Sequence, residues 1–481
     1  MNVNRMSRSF FWSFLEQGGS KLVGMAVQIV LARLLSAEAF GLLAVLLVVT
    51  NIADSIAQSG FGMALIQKSD ATDDSFDTAF WLSMGIAAAL YLALFLLAPS
   101  LSSFYGMPDL APSLRVLSLV IFFNSANSIQ RSWMQRRMDF RGLFRVSLFA
   151  MICSGAVGIG AAFCGAGVWA LVAQTLSQSV FTCLSMAFVV PWKPHARFIR
   201  SQAKELYAFG WKVCVTGILN VFYTGVSELI LGKACSASEL GYYSQGRKYP
   251  NAGIGVATNA ISNVLFPALA DVKDDADRLH ARIHKGLTAG TFIMAPLSLA
   301  CAAAAKPLVT ILFGESWLPC VPIFALTCAG NAVAMLQVVN LRAYMALGRS
   351  DLYMKLQMIK VALGVLMIGC AAIITHDIYA TAVATFVVGI FNFVVVDTAP
   401  AKQLHGYSRS RQLHDVAPTL ISSVVACAAA LTVTLIGLAP LLELLLQFVI
   451  YVFVYLSLAS LLHIPALSEA LSLVKGLIQR G

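Results

Sequence analysis

Stretches of about 20 apolar residues recur along almost the whole chain, and this recurrence limits the possible fold more than any other feature. Each is long enough to cross the roughly 30 Å hydrocarbon core of a bilayer as a helix. Fourteen can be drawn, at approximately 10–34, 40–66, 77–98, 112–134, 143–164, 167–190, 205–232, 240–266, 286–305, 322–346, 354–375, 378–399, 416–437 and 442–463. Only 12% of residues are charged, against about a quarter in a soluble globule, and the mean hydropathy is +0.79. The expected fold class is an all-α polytopic membrane protein. The first run does not read as a cleavable leader. Arg5 and Arg8 imitate its basic start, but Glu16, Gln17 and Lys21 interrupt what would be the apolar segment, and no small-residue cleavage site follows.

A formal net charge of +10 could suggest a nucleic-acid partner, but its distribution argues otherwise. With the N-terminus cytoplasmic, the loops on that side carry Arg136, Arg137, Arg141 and Arg145, then Lys193, Arg197, Arg200 and Lys204, then Lys273, Arg278, Arg282 and Lys285. The opposite loops hold Arg33, Lys233 and Lys306. This is the positive-inside asymmetry, and it implies that both termini are cytoplasmic. The ten cysteines fall almost entirely inside apolar runs, with no C-x-x-C and no clustered histidines. They read as small packing residues, and neither a metal nor a cofactor is expected.

The chain also repeats itself. LARLLSAEAFGLL at 31–43 aligns without gaps to LGKACSASELGYY at 231–243, matching Leu31 with Leu231, Ser36 with Ser236 and Gly41 with Gly241. Asn51 pairs with Asn251 at the same offset, and Pro99 with Pro307 and Gly106 with Gly314 at a slightly larger one. The first run thus corresponds to the seventh and the fourth to the tenth. A separation of six helices makes this a parallel repeat, an arrangement that places substrate near the midplane between the repeats. The expected organisation is a six-helix bundle over 1–190, a cytoplasmic linker at 191–204, a second six-helix bundle over 205–400, two further helices over 401–463, and an interfacial C-terminal helix over 464–481, where Leu467, Leu471, Val474 and Ile478 share one face.

Charges inside the apolar runs are few, and each is a functional candidate unless paired, hydrated or snorkelled. Arg342, Lys355 and Lys360 fall within about two turns of the cytoplasmic ends and are expected to snorkel. Lys212 is open to the same reading. Glu228 lies near the outer end of its run. Lys21 and Asp54 sit too deep to snorkel easily, and form either a structural ion pair or a substrate or ion site. The eighth run contains YYSQGRKYPN, with Arg247 and Lys248 adjacent. Neighbouring helical residues point about 100° apart, so one is expected to meet a substrate and the other to pair or snorkel. Pro250 has no N–H for the carbonyl of Gly246, and a bend is expected there. No G-x-S-x-G, H-E-x-x-H or P-loop is present. An enzyme is not expected, and any transport would be secondary or facilitated.

The stretches LARLLSAEAFGLLAV, SGFGMALIQ followed by DTAFW, WMQRRMDFR, GVWALVAQTLSQS, FGWKVCVTGILN, NVLFPALA, LFGESWLPCVPI and YMALGRSDL, in this order between residues 31 and 352, carry a resemblance. The chain resembles the polysaccharide-transport (Wzx/WzxC-like) flippases of the multidrug/oligosaccharidyl-lipid/polysaccharide (MOP) exporter superfamily. The resemblance implies a MOP/MATE-like fold and translocation of a polyprenyl-diphosphate-linked oligosaccharide, or a related glycolipid, from the cytoplasmic to the periplasmic leaflet of the bacterial inner membrane. It implies membrane lipid and the polysaccharide polymerase and export machinery as partners. Within it, Lys21, Arg247 and Lys248 are the candidate contacts to the anionic head, Asp54 is the candidate coupling-ion site, and Lys212, Glu228 and Arg342 are secondary candidates. Gln245 stands where the resemblance leads one to expect a further basic residue. The alternatives are a multidrug/cation antiporter of the same superfamily, which needs deep acidic residues, a peptidoglycan-precursor flippase, and a non-transporting membrane subunit of a polysaccharide synthase complex.

Overall fold

The computed structural model describes residues 3–68 and 71–468, and these divide into two compact units, Met1–Gly241 and Tyr242–Gly481. The first contains α1 (Val3–Leu34), α2 (Ala37–Gln58), α3 (Phe61–Gln67), α4 (Asp73–Tyr105), α5 (Leu110–Leu117), α6 (Val120–Arg136), α7 (Phe140–Phe163), α8 (Val168–Val189), α9 (Arg200–Ala234) and the first turn of α10 (Ala237–Ala270). The second holds the rest of α10, α11 (Ala276–Ala303), α12 (Ala305–Phe313), α13 (Val321–Asn331), α14 (Ala334–Ala346), α15 (Ser350–Thr375), α16 (Ile378–Phe391), α17 (Ala401–His405), α18 (Arg409–Leu431) and α19 (Pro440–Leu461). The expected interfacial helix over 464–481 lies mostly outside the described residues.

The chain is a multi-pass membrane protein. Among the described residues, twelve helices or joined pairs are long and apolar enough to cross a bilayer, and thirteen if the pair Glu315–Asn331 and Ala334–Ala346, bent by 44°, is one span. The expected fourteen spans are thus reproduced as twelve or thirteen among the described residues. The second run is not one helix. Ser59 and Gly60 both adopt left-handed backbone (φ 42° and 67°) and break it into α2 and α3. Helix α10, by contrast, is continuous through Pro250 and Pro267.

The repeat is visible as local chemistry. Ser36 caps α2, its Oγ accepting from the Ala39 N–H at 3.4 Å. Ser236 does the same for α10, accepting from the Glu239 N–H at 3.3 Å while the Glu239 carboxylate accepts from the Ser236 N–H at 2.9 Å. This reciprocal pair is a capping box. One turn later come the matched glycines. A Cβ on Gly41 would lie 1.8 Å from the Ala237 carbonyl oxygen, and one on Gly241 would lie 1.9 Å from that of Ala37. The opening turns of α2 and α10 thus cross backbone to backbone, which only glycine at both positions permits. Farther along α2, Val48 and Val45 pack where side chains on Gly225 and Gly232 of α9 would stand, so α9 lies along α2 within the first unit.

The linker after α8 is docked on the start of α4. Trp192 Nε1 donates to Asp77 Oδ1 at 3.1 Å, the His195 N–H donates to the same oxygen at 3.2 Å, and the Ile199 N–H donates to Thr78 Oγ1 at 3.2 Å. Trp81 Nε1 returns a bond to the His195 carbonyl at 2.7 Å, and the rings of Phe76 and Phe80 pack on Trp192. The DTAFW stretch therefore anchors the linker. Nearby, Arg136 donates to the Leu65 carbonyl at the end of α3 (2.8 Å), and Arg137 lies over the Trp133 ring at 3.5 Å, so WMQRRMDFR belongs to the same basic end.

In the second unit, α19 shows the inside-out pattern of a helix facing lipid. Glu443, Gln447, Tyr451 and Tyr455, four residues apart and so on one face, are all buried, while Leu441, Leu442, Leu445, Phe448 and Phe453 are exposed. Its length, about 33 Å at ~1.5 Å per residue, suits one crossing.

Candidate functional site

Residues 242–251 of α10 are fixed by aromatic and close-packed contacts within the second unit. The Tyr242 ring meets Trp317 at 5.7 Å and Tyr249 meets Phe313 at 4.6 Å. Gly246 packs where a Cβ would touch Cys320 O and the Ile323 side chain at 3.0 Å. On this anchored turn Arg247 is half-buried and Lys248 exposed. Arg247 Nη1 donates to the Tyr243 hydroxyl at 3.4 Å, and its Cζ stands 5.2 Å from the Tyr243 ring centroid. Farther along, Asn331 Nδ2 donates to Asn251 Oδ1 at 3.1 Å, and Arg342 donates to Ser262 Oγ. Arg342, expected to snorkel, is bonded to α10.

The first unit holds a buried polar network around Asp54. Asn124 Nδ2 donates to Asp54 Oδ2 at 2.6 Å, Ser179 Oγ donates to Asn124 Oδ1 at 2.9 Å, and Asn127 Nδ2 donates to the Ser179 carbonyl at 3.1 Å. Helices α2, α6 and α8 are thereby linked. Asp54 is 8% exposed, and its Oδ1 has no hydrogen-bond partner among the described residues. A carboxylate this buried, met by an amide and, among the described residues, by no cation, is costly in its charged form. Among the described residues no ion pair joins Lys21 to Asp54: Lys21 is exposed, and the bonded partner of Asp54 is Asn124. Lys212 is exposed and Glu228 half-buried, both on α9. The structure thus places Arg247 and Lys248 together on α10, ties Arg342 to Ser262 about 21 Å farther along that helix at ~1.5 Å per residue, and leaves Asp54 in a separate network.

One expectation is reversed. Lys360 does not snorkel; its side chain is 1% exposed and its Nζ lies 3.0 Å from Asp397 Oδ1 and 3.3 Å from Oδ2, with the Asp397 side chain 0% exposed. The reason is local. Residues Asn392–Val396 form a π-helical turn after α16, and this turns Asp397 inward toward α15, while the Tyr344 hydroxyl donates to its carbonyl at 2.7 Å. A side chain seeking the interface is no longer free to do so once a buried carboxylate offers a nearer partner. Asp397 lay within the twelfth apolar run, in VVVDTAP, and its charge there was the signal that would have found the pair. Beside it, Asn340, His405 and Gln412 form a second buried network, with Asn340 Nδ2 donating to Gln412 Oε1 at 2.8 Å.

Comparison with known proteins follows the same direction. The family model described as polysaccharide biosynthesis protein matches residues 30–322, more than half of the chain. The succinoglycan biosynthesis transport protein ExoT of Rhizobium meliloti (strain 1021) is 25% identical over 333 residues, covering 69% of this chain and 67% of that protein. The lipopolysaccharide biosynthesis protein WzxC of Escherichia coli (strain K12) is 26% identical over 329 residues, covering 66% of this chain and 67% of that protein. Among solved structures, the lipid II flippase MurJ superposes with a TM-score of 0.74 at 15% identity, over 96% of this chain and 99% of MurJ, which shows a shared fold. The chain belongs to the polysaccharide biosynthesis protein family.

Proposed function

We propose that this protein flips a polyprenyl-diphosphate-linked oligosaccharide from the cytoplasmic to the periplasmic leaflet of a bacterial inner membrane, with both termini cytoplasmic, in the building of exopolysaccharide, lipopolysaccharide or capsule. The observation that carries the reading is the cation pair of α10, Arg247 oriented and Lys248 exposed, on a turn anchored within an apolar helix. Two adjacent cations in a membrane-spanning helix suit an anionic diphosphate, which guanidinium and ammonium bind through charge-assisted hydrogen bonds. The lipid tail stays in the bilayer while alternating access carries the hydrated head across. Lys21, exposed on α1, is the further candidate contact. Asp54, with Asn124 and Ser179 behind it, is the proposed site for a coupling proton or ion, because among the described residues no ion pair is broken when its carboxyl changes charge state. A polymerase or export assembly is the proposed recipient of the product.

Deletion of the gene tests the reading. The expected result is accumulation of a polyprenyl-diphosphate-linked oligosaccharide in the inner leaflet. No accumulation, with loss of drug resistance instead, would favour the cation antiporter.

A further inference from the structure

The two halves of the chain provide an internal control on the Lys360–Asp397 pair. Helices α7 and α15 begin at Phe140 and Ser350, α8 and α16 at Val168 and Ile378, and α6 and α14 end at Arg136 and Ala346, each pair 210 positions apart. The same offset sets Lys360 on Ala150 and Asp397 on Ala187, or on Met186 once the residue inserted by the π-helical turn is discounted. Ala150 and Met186 are buried and Ala187 is half-buried. Helix α7 packs on α8 as α15 packs on α16, so this helix pair closes without any charge at the two positions. An ion pair this buried is also, as a rule, no more stabilising than apolar residues of the same volume. Folding therefore does not account for the two charges.

The pair stands at a turn with two available hydrogen-bonded states. The Asp397 N–H donates to the Asn392 carbonyl at 2.9 Å, five residues back, and closes the π-turn. Such turns hold one residue more than an α-helix needs and recur at functional sites. A slip to the α-helical bond, four residues back, rotates Asp397 about the helix by up to ~100° and takes its carboxylate off Lys360. Helix α14 is tied to that turn. Its Tyr344 hydroxyl donates to the Asp397 carbonyl at 2.7 Å, and Gln337, seven residues back on the same face, meets the Asp397 carboxyl. From the same helix Arg342 donates to Ser262 Oγ of α10. The axis of α14 breaks by 44° from the helices before it, a joint about which so short a helix can tilt.

We infer that Lys360 and Asp397 form a latch of the translocation step: the pair opens and re-forms as α10 moves the head group, and α14 carries the movement between them. The inference rests on the proposed substrate reading. The latch governs the rate of transfer, and neither folding nor head-group binding depends on it.

The test uses the full chain, in detergent for thermal melting and farnesyl diphosphate binding, and in vesicles for transfer of a fluorescent polyprenyl-diphosphate-linked sugar. Replacing both charges together, Lys360→Met with Asp397→Leu, should leave melting and binding close to wild type and slow transfer by at least ~tenfold, as loss of an element that couples two sites does. Transfer at the wild-type rate in that variant, or a melting temperature far below wild type, would refute the latch. Hydrogen exchange on the unsubstituted protein tests it without relying on the variant. Adding farnesyl diphosphate should change the exchange of amides between residues 392 and 398 by ~threefold or more; unchanged exchange there, with the lipid bound, would refute the latch as well. Wild-type protein that neither binds farnesyl diphosphate nor transfers the sugar would overturn the substrate reading, and the latch with it.

Discussion

Replacing Lys360 by methionine leaves the Asp397 carboxylate, 0% exposed, without the ammonium 3.0 Å away. The tyrosine beside it cannot help, because the Tyr344 hydroxyl is engaged with the Asp397 backbone carbonyl. Methionine fills nearly the volume of the lysine stem, so the change isolates the charge. Breaking a buried pair from one side costs about 3–5 kcal/mol, because the remaining charge stays desolvated. For a unit of a few hundred residues that corresponds to a fall in melting temperature of roughly 6–20 °C. Replacing both partners, Lys360→Met with Asp397→Leu, removes both charges, and such apolar substitutions for buried pairs are often neutral. The assay is thermal unfolding of the purified full chain in detergent, followed by the loss of monodisperse protein. The expected order is wild type close to the double variant, and both well above either single variant. A Lys360→Met protein that melts with the wild type, or a double variant whose loss equals the sum of the singles, would refute the argument that this pair is a buried, mutually dependent unit.

Other outcomes follow from the same geometry. Gly41→Leu and Gly241→Leu should each lower the melting temperature, by an overpacking penalty of at least about 1–3 kcal/mol, and by similar amounts, because the two glycines face equivalent carbonyls. Asp77→Ala removes the acceptor shared by Trp192 and His195. Limited proteolysis between residues 193 and 198 should then speed up by ~tenfold or more, as expected for the loss of a carboxylate's hydrogen bonds. Asp54→Asn keeps a polar group beside Asn124 but fixes its charge, so transport should lose its dependence on the ion or proton gradient while head-group binding persists. A variant whose transport still follows the gradient would remove Asp54 from coupling.

The helical membrane fold was legible because hydrocarbon imposes one simple demand on every span, a run of about 20 apolar residues. The repeat was legible for a different reason: Ser36, Gly41 and their counterparts Ser236 and Gly241 are fixed by a helix cap and a backbone crossing, and such demands survive divergence. Breaks inside a run were hidden, since Ser59 and Gly60 are ordinary residues until packing holds both in left-handed backbone. The site was legible as a list of charges but not as a set of partners. Lys360 looked free to snorkel because its depth could be counted, whereas the inward turn of Asp397 depends on a π-helical turn that periodicity does not reveal.

Flipping itself is the most direct test of the proposed function. Purified full-length protein would be reconstituted into vesicles carrying a fluorescent polyprenyl-diphosphate-linked sugar in one leaflet, and arrival of the sugar in the other leaflet would be followed by its accessibility to a membrane-impermeant quencher. Transfer well above protein-free vesicles, lost on combining Arg247→Ala with Lys248→Ala in a protein that still melts like the wild type, is the expected result. Transfer no faster than in protein-free vesicles, or unchanged in the doubly substituted protein, would contradict it.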